Sequence, residues 1–274
     1  MKIKNIIILA VVIFSLSQCN KKEASPSYSN ESITTDNVLA AMYFHIIFCE
    51  AENAWAFIDD MDYVANKTYT DPASTSTVFK KMTYDDDTEI ITIEYQAWVT
   101  NNYDLTGTIT VRIVKNSYRV EGKVANVYLR GFSINEQNVV GESSLKYREE
   151  KNNDNDIYTY TLLNGSAIHE QGTSMPVLIS GSVVNGRYER IEGGETLSLD
   201  DDVWAYFSTM TGMVREVPSL KYTNTVLDTV QYSMNCKIAR QGVSQIKIQG
   251  RSNIFYECLC SEIYYFSSTD VFNK

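Results

Sequence analysis

ITIEYQAWV at residues 91–99 and LTGTITVRI at residues 105–113 decide the fold. In the first, Ile91, Ile93, Tyr95, Ala97 and Val99 are apolar while Thr92, Glu94 and Gln96 lie between them. In the second, Leu105, Ile109, Val111 and Ile113 stand against Thr106, Thr108, Thr110 and Arg112. A period of two sends successive side chains to opposite faces of a strand, so each run has one dry face and one wet face. Asn101, Asn102 and Asp104 lie between them and supply turn chemistry, which makes the pair a hairpin.

The same grammar runs downstream. Strands are expected at 139–147, 157–167, 177–187, 204–210, 226–234, 244–249 and 255–266, several of them divided by polar runs such as Asn152 to Asp156. No proline occurs between Pro72 and Pro176, which suits long strands because proline removes a ladder hydrogen bond. Glycines at 107, 122, 141, 165 and 181 are irregularly spaced, as in successive hairpins rather than a fixed repeat. From Tyr118 the apolar phase follows Val120 and Val124 and then shifts to Val127 and Leu129, predicting a bulge there.

Upstream the period changes. Asp36 offers an N-cap, and Leu39, Met42, Ile46, Cys49, Phe57 and Ile58 recur at spacings of three and four along one stripe. The expectation is an amphipathic helix over residues 36–66, packed on an all-β domain over residues 67–274. That domain is a large antiparallel sheet or sandwich built from successive hairpins.

The first eighteen residues read as a secretory signal peptide: Lys2 and Lys4, an apolar run from Ile6 to Phe14, then Leu16-Ser17-Gln18-Cys19. The run is too short to serve as a permanent bilayer span. The tetrapeptide resembles a bacterial lipobox, whose cysteine receives the lipid and becomes the new N-terminus, although Gln18 stands where a small residue is usual. Cys19 is thus the expected lipidation site, palmitate included, and a multi-acyl anchor would hold the chain on a bilayer. Residues 19–35, rich in Ser, Asn, Lys and Glu with Pro26, read as a flexible tether.

A formal charge of −10 and an isoelectric point near 4.8 exclude a basic stripe for nucleic acid. A hydrophobic content of 44% excludes a disordered chain.

The layout resembles a group of uncharacterised Bacteroidota cell-envelope lipoproteins. The matching stretches are Leu105 to Val111, Tyr128 to Asn135, Val139 to Ser143 and the strand from Cys236 onward, with Asn135-Glu136 in place of the usual Asn-Gly at a hairpin tip. The resemblance implies an outer-membrane lipoprotein and transfers no activity.

Four cysteines remain beyond Cys19. In an exported chain a disulfide from Cys236 to Cys258 or to Cys260 is expected, with Cys49 as a core thiol. A metal site on these cysteines lacks a neighbouring histidine and the usual two-residue spacing, so no metal or cofactor is expected. His45 and His169 stand in no nucleophile motif. Glu149 with Glu150, Glu189 with Glu192, and the aspartates at 85–87 and 200–202 offer carboxylates for glycoside chemistry, although acidic turns are ordinarily just solvated. The expectation is a non-enzymatic binding or structural protein. The competing one is a glycan-binding or glycan-processing lipoprotein of a nutrient-uptake system, with Trp98 and Trp204 as sugar contacts beside convergent carboxylates.

Overall fold

The 90–113 hairpin forms, and in the computed structural model Ile91, Ile93 and Tyr95 face the core and pair with Val111, Ile109 and Gly107, but Ala97 and Val99, expected on the same dry face, are exposed because the ladder slips between Tyr95 and Trp98. The structure describes residues 29–60, 67–100, 102–113, 122–148, 156–169, 179–192, 202–214 and 217–266. The signal segment, Cys19, most of the tether, Glu149, Glu150, residues 152–155, Asp200 and Asp201 lie outside these.

Among the described residues one helix, α1 (Asn30–Asp60), precedes thirteen strands. They are β1 (Thr68–Thr70), β2 (Phe79–Asp85), β3 (Ile90–Val99), β4 (Asp104–Ile113), β5 (Val124–Ile134), β6 (Gln137–Arg148) and β7 (Ile157–His169), then β8 (Ile179–Glu192), β9 (Val203–Val214), β10 (Val217–Ser233), β11 (Gln241–Ile248), β12 (Ile254–Leu259) and β13 (Glu262–Phe266). Each strand pairs antiparallel with the next, in chain order, so the protein is all-β with one continuous meander and a single N-terminal helix packed on it. The two-sheet sandwich option falls away.

The helix departs from the expected stripe. Every residue from Met42 to Ala56 is buried, and α1 touches strands from β3 round to β12. A flat sheet covers one side of a helix, so burial on all sides requires the sheet to curl round it. A helix buried on every face belongs in an interior, although this one carries Asn37, His45, Glu50, Glu52 and Asn53 among its buried residues. The helix also starts earlier than expected: Asn30 to Thr35 are helical, not tether, and Asp36 is buried within the helix and is not its cap. Thr34 returns its hydroxyl to the Asn30 carbonyl at 2.8 Å, which lets a polar residue enter the interior. No helix among the described residues is long and apolar enough to cross a membrane.

The curl comes from interrupted ladders. Pairing slips between Tyr95 and Trp98, between Thr106 and Thr108, between Tyr128 and Ser133, and between Val140 and Glu142. Bulges increase local twist and bend a sheet, and these fall on successive neighbouring strands. Gly107 shows why glycine is needed: its φ is +104° and a Cβ there would lie 2.1 Å from the Gly131 carbonyl oxygen. At Gly165 a Cβ would come within 2.7 Å of the Phe44 ring, so that glycine seats the helix. The phase shift expected between Val124 and Val127 is absent, because Ala125 and Val127 stay inward and the slip comes later, around Gly131. The single strand expected at 255–266 is a hairpin turning at Cys260, whose φ is +59°.

β1 and β13 end the sheet. The β10–β11 connection ties elements from its two halves together. Asn102 Nδ2 donates to the Met234 carbonyl and Tyr103 Oη to the Cys236 carbonyl, both at 3.0 Å. Ile238 N donates to the Cys260 carbonyl at 3.1 Å, and Cys236 is bonded to Cys260.

Candidate functional site

Three buried polar residues of α1, Asn37, Glu50 and Glu52, reach side chains on the strands around it. Glu50 takes a salt bridge from Lys80 of β2 at 2.7 Å. Glu52 accepts from Arg190 Nη2 of β8 at 2.9 Å on each oxygen and from Tyr158 Oη of β7 at 3.0 Å. Arg190 also lies 3.8 Å from Asp156 and from Asp202, and stacks 4.9 Å from the Trp204 ring centroid. Burial alone would weaken that guanidinium's charge, but the three carboxylates outweigh it and raise its pKa. Asn37 Oδ1 accepts from Asn224 Nδ2 at 2.8 Å and from Tyr256 Oη at 3.2 Å. An unpaired charge in such an interior is costly, and this pairing is what makes these groups tolerable.

His45 lies in an aromatic stack, 4.4 Å from the Tyr232 centroid and 5.4 Å from Tyr188. Its Nε2 is 3.2 Å from Cys49 Sγ. Burial pushes its pKa down to about 3, so the ring is neutral, and burial with the nearby Asp202, Glu52 and Glu50 charges raises the Cys49 thiol. Neither group has the exposure or the poise of a catalytic base or nucleophile.

The two tryptophans do not converge. Trp204 is fully buried between Phe48, Tyr158 and Tyr188, where no sugar can reach it. Trp98 is half-buried on β3, opposite Leu105. Of the two expected sugar contacts Trp204 is therefore closed to a ligand, because alternation puts it on the same face as Tyr206 and the core, whereas Trp98 lies just past the slip that follows Tyr95 and keeps part of its surface. Glu189 pairs with Arg187 at 3.2 Å and Glu192 with Arg240 at 3.1 Å. Asp85 Oδ1 accepts from Asp87 N and Thr88 N to close the β2–β3 turn. Asp202 alone of its triplet is described, and it turns inward toward Arg190. His169 ends β7 opposite Gln137. No group of three or more metal-ligating side chains occurs among the described residues. Of the cysteines, Cys260 takes the bond to Cys236, while Cys258 and Cys49 are free and buried.

A small crevice opens between α1 and the first sheet edge. Glu50, Asn53 and Ala54 floor it, Lys80, Met82 and Ile93 wall it, and Tyr69 to Asp71 form its rim. It holds about 30 Å³, room for one or two waters. Glu50, Glu52, Asn53 and Arg190 are not among the residues that alternation and motif reading single out. A signal was present: Glu50, Glu52 and Asn53 interrupt a helix with too few polar residues for a wet face. No protein-family model, curated protein or solved structure matches the chain.

Proposed function

We propose that the protein is an outer-membrane lipoprotein, anchored through acyl chains on Cys19, whose β-scaffold makes binding or structural contacts and performs no catalysis. One observation supports this most: the concave side of the sheet, where a curled sheet would otherwise hold a ligand, is filled by the chain's own helix, buried without a break from Met42 to Ala56. The ionisable groups on that helix, His45, Glu50 and Glu52, are spent on internal partners. The convex face carries the wet side of each strand, with Tyr128, Leu163 and Phe207 exposed among threonines and charged residues. It is the surface on which a protein or glycan partner would be met.

The test is labelled palmitate incorporation in the native and Cys19→Ala chains, with protease shaving of intact cells beside a periplasmic control. Label in the native chain alone, and a protein that fractionates with the outer membrane, is the expected result. Equal labelling of the two chains would overturn the anchor. Loss on shaving would direct the search to surface glycans and host partners, and protection to envelope-assembly partners.

A further inference from the structure

We infer that the free edge of β13 binds an extended, basic segment of another protein as one more strand of the sheet. This names the chemistry of what is bound and so deepens the binding role proposed above, on which it rests; it does not depend on the lipid anchor. Among the described residues no strand pairs with the far side of β13. The β12–β13 hairpin closes on the Leu259–Glu262 pair, which a two-residue turn leaves as a hydrogen-bonded pair. Bonded and non-bonded pairs alternate along an antiparallel ladder. Glu262, Tyr264 and Phe266 therefore turn their N–H and C=O toward β12, and Ile263 and Tyr265 turn theirs outward. Such a row is a template for another strand, and edges that must stay unpaired are blunted by short length, charge or proline. β1 is blunted in this way, with three residues set between Lys67 and Asp71-Pro72. β13 is not: its five residues carry one charge, Glu262 beside the turn, and no proline, and Tyr264 and Tyr265 are 48% and 43% exposed.

Charge and face decide the partner. From Ile254 to Phe266 the hairpin holds Glu257 and Glu262 and no lysine or arginine. Glu257 stands opposite Tyr264. Glu31 of α1 lies near enough to Tyr265 for its charge to add to burial in raising that hydroxyl's pKa. A second copy would bring the same carboxylates to this edge and be repelled, whereas lysine or arginine would be attracted. On the inner side Ile263 packs against the core, so partner residues opposite Ile263 and Tyr265 are apolar. The partner residue opposite Tyr264 points outward, diagonal to Glu262, and is basic. Strand addition of this kind draws affinity from main-chain hydrogen bonds and specificity from alternate side chains.

The test is fluorescence polarisation on the full chain in detergent, with a fluorescein-labelled peptide Thr-Val-Lys-Val-Lys-Val-Thr and its counterpart carrying glutamate for lysine. The lysine peptide should bind, and the glutamate peptide about tenfold more weakly. On binding, the amides of Ile263 and Tyr265 should gain protection from hydrogen exchange, while those of Tyr264 and Phe266, already bonded to β12, should not change. Tyr265→Pro removes an outward N–H that β12 does not use, so it should unfold at nearly the urea concentration of the native chain and lose binding. Glu262→Lys, at an exposed position, should reverse the preference between the two peptides. Absence of binding at millimolar peptide, equal binding of both peptides, or unchanged binding by Tyr265→Pro would overturn the inference. So would a dimer in sedimentation that Tyr265→Pro dissolves, which would give the edge to a second copy. A failed palmitate experiment leaves these results untouched, so the two readings fail separately.

Discussion

Arg190 Nη2 sits 2.9 Å from both carboxylate oxygens of Glu52, a residue 138 positions earlier in the chain. The contact pins the helix to β8, and three carboxylates, those of Glu52, Asp156 and Asp202, lie within 4 Å of this one guanidinium. The partners are therefore unequal. Arg190→Met takes from Glu52, Asp156 and Asp202 the cation they share and is expected to cost about 3–5 kcal/mol in urea unfolding. Glu52→Gln leaves Arg190 two carboxylates and keeps an acceptor for Tyr158, so its cost should be nearer 2 kcal/mol. Equal losses would mean that Asp156 and Asp202 contribute nothing to the cluster.

Acid sensitivity should trace in part to His45. Its folded pKa is pushed down to about 3 by burial, whereas the unfolded ring titrates near 6.5. Between those values the unfolded state binds a proton that the folded state refuses, so stability falls as pH drops, by up to about 1.4 kcal/mol per pH unit. Below about pH 3 this contribution levels off. His45→Phe keeps a ring in the stack with Tyr188 and Tyr232 and removes the titration. The stability difference between the two proteins, followed by urea unfolding from pH 7 to pH 5, should change by about 2 kcal/mol in favour of the variant. A constant difference would show that water reaches the ring.

Alternation carried the sheet. Ile91, Ile93, Ile109 and Val111 announced a dry face, and that face is the one against the helix. What alternation leaves out is curvature, since faces are local and closure depends on where the ladder slips. Gly107 and Gly141 were visible as residues inside strands, but the close approach of Gly107 to the Gly131 carbonyl is a three-dimensional fact. The wrap in turn decided the helix. Reading a stripe from Leu39, Met42 and Ile46 presumes a flat partner, and a curled one buries the remaining faces with Glu50, Glu52 and Asn53 on them. Hence the buried pairs escaped notice: Glu50 finds Lys80 and Glu52 finds Arg190 across distances in sequence that no spacing rule spans. The turn at Cys260 was hidden for a different reason. Cys-Ser offers only the weaker turn chemistry of a serine hydroxyl, without the glycine, proline or asparagine that marks a turn strongly.

The β5–β6 hairpin carries correctable strain. Asn135 and Glu136 both have positive φ, at 49° and 62°, with Ile134 opposite Gln137, which is a two-residue loop of the kind that favours Asn-Gly. Asn135 suits its place and uses its Oδ1 to accept from Asp104 N at 2.9 Å. Glu136 is exposed, and a side chain in the left-handed region costs about 1–2 kcal/mol. Glu136→Gly relieves that strain but frees the unfolded chain, an opposing effect of about 0.4–1 kcal/mol. The net expectation is a gain of about 0.5–1 kcal/mol in thermal or urea unfolding. A loss would mean that Glu136 makes a contact outweighing its backbone cost.

The cysteine pairing gives the last prediction. Cys258 and Cys260 would share one face of an uninterrupted strand, and either could then reach Cys236. The turn separates them: Cys258 stays on the inward side of β12 at 4% exposure, while Cys260 leaves the ladder and meets the β10–β11 connection. Burial, with a smaller contribution from the Glu257 charge, pushes the Cys258 thiol up to about 12, so it is protonated at neutral pH and a poor nucleophile toward the adjacent disulfide. Chymotryptic cleavage after Leu259 places the two cysteines on different peptides. Non-reducing mass spectrometry should find Cys260 linked to Cys236, with Cys258 alkylated only after unfolding. Replacing both Cys236 and Cys260 by Ser opens a cross-link spanning 24 residues and should lower stability by about 3 kcal/mol. A Cys236–Cys258 peptide, or alkylation of Cys258 in the folded protein, would show that the β12–β13 turn does not hold Cys260 where the Ile238 and Ala239 hydrogen bonds place it.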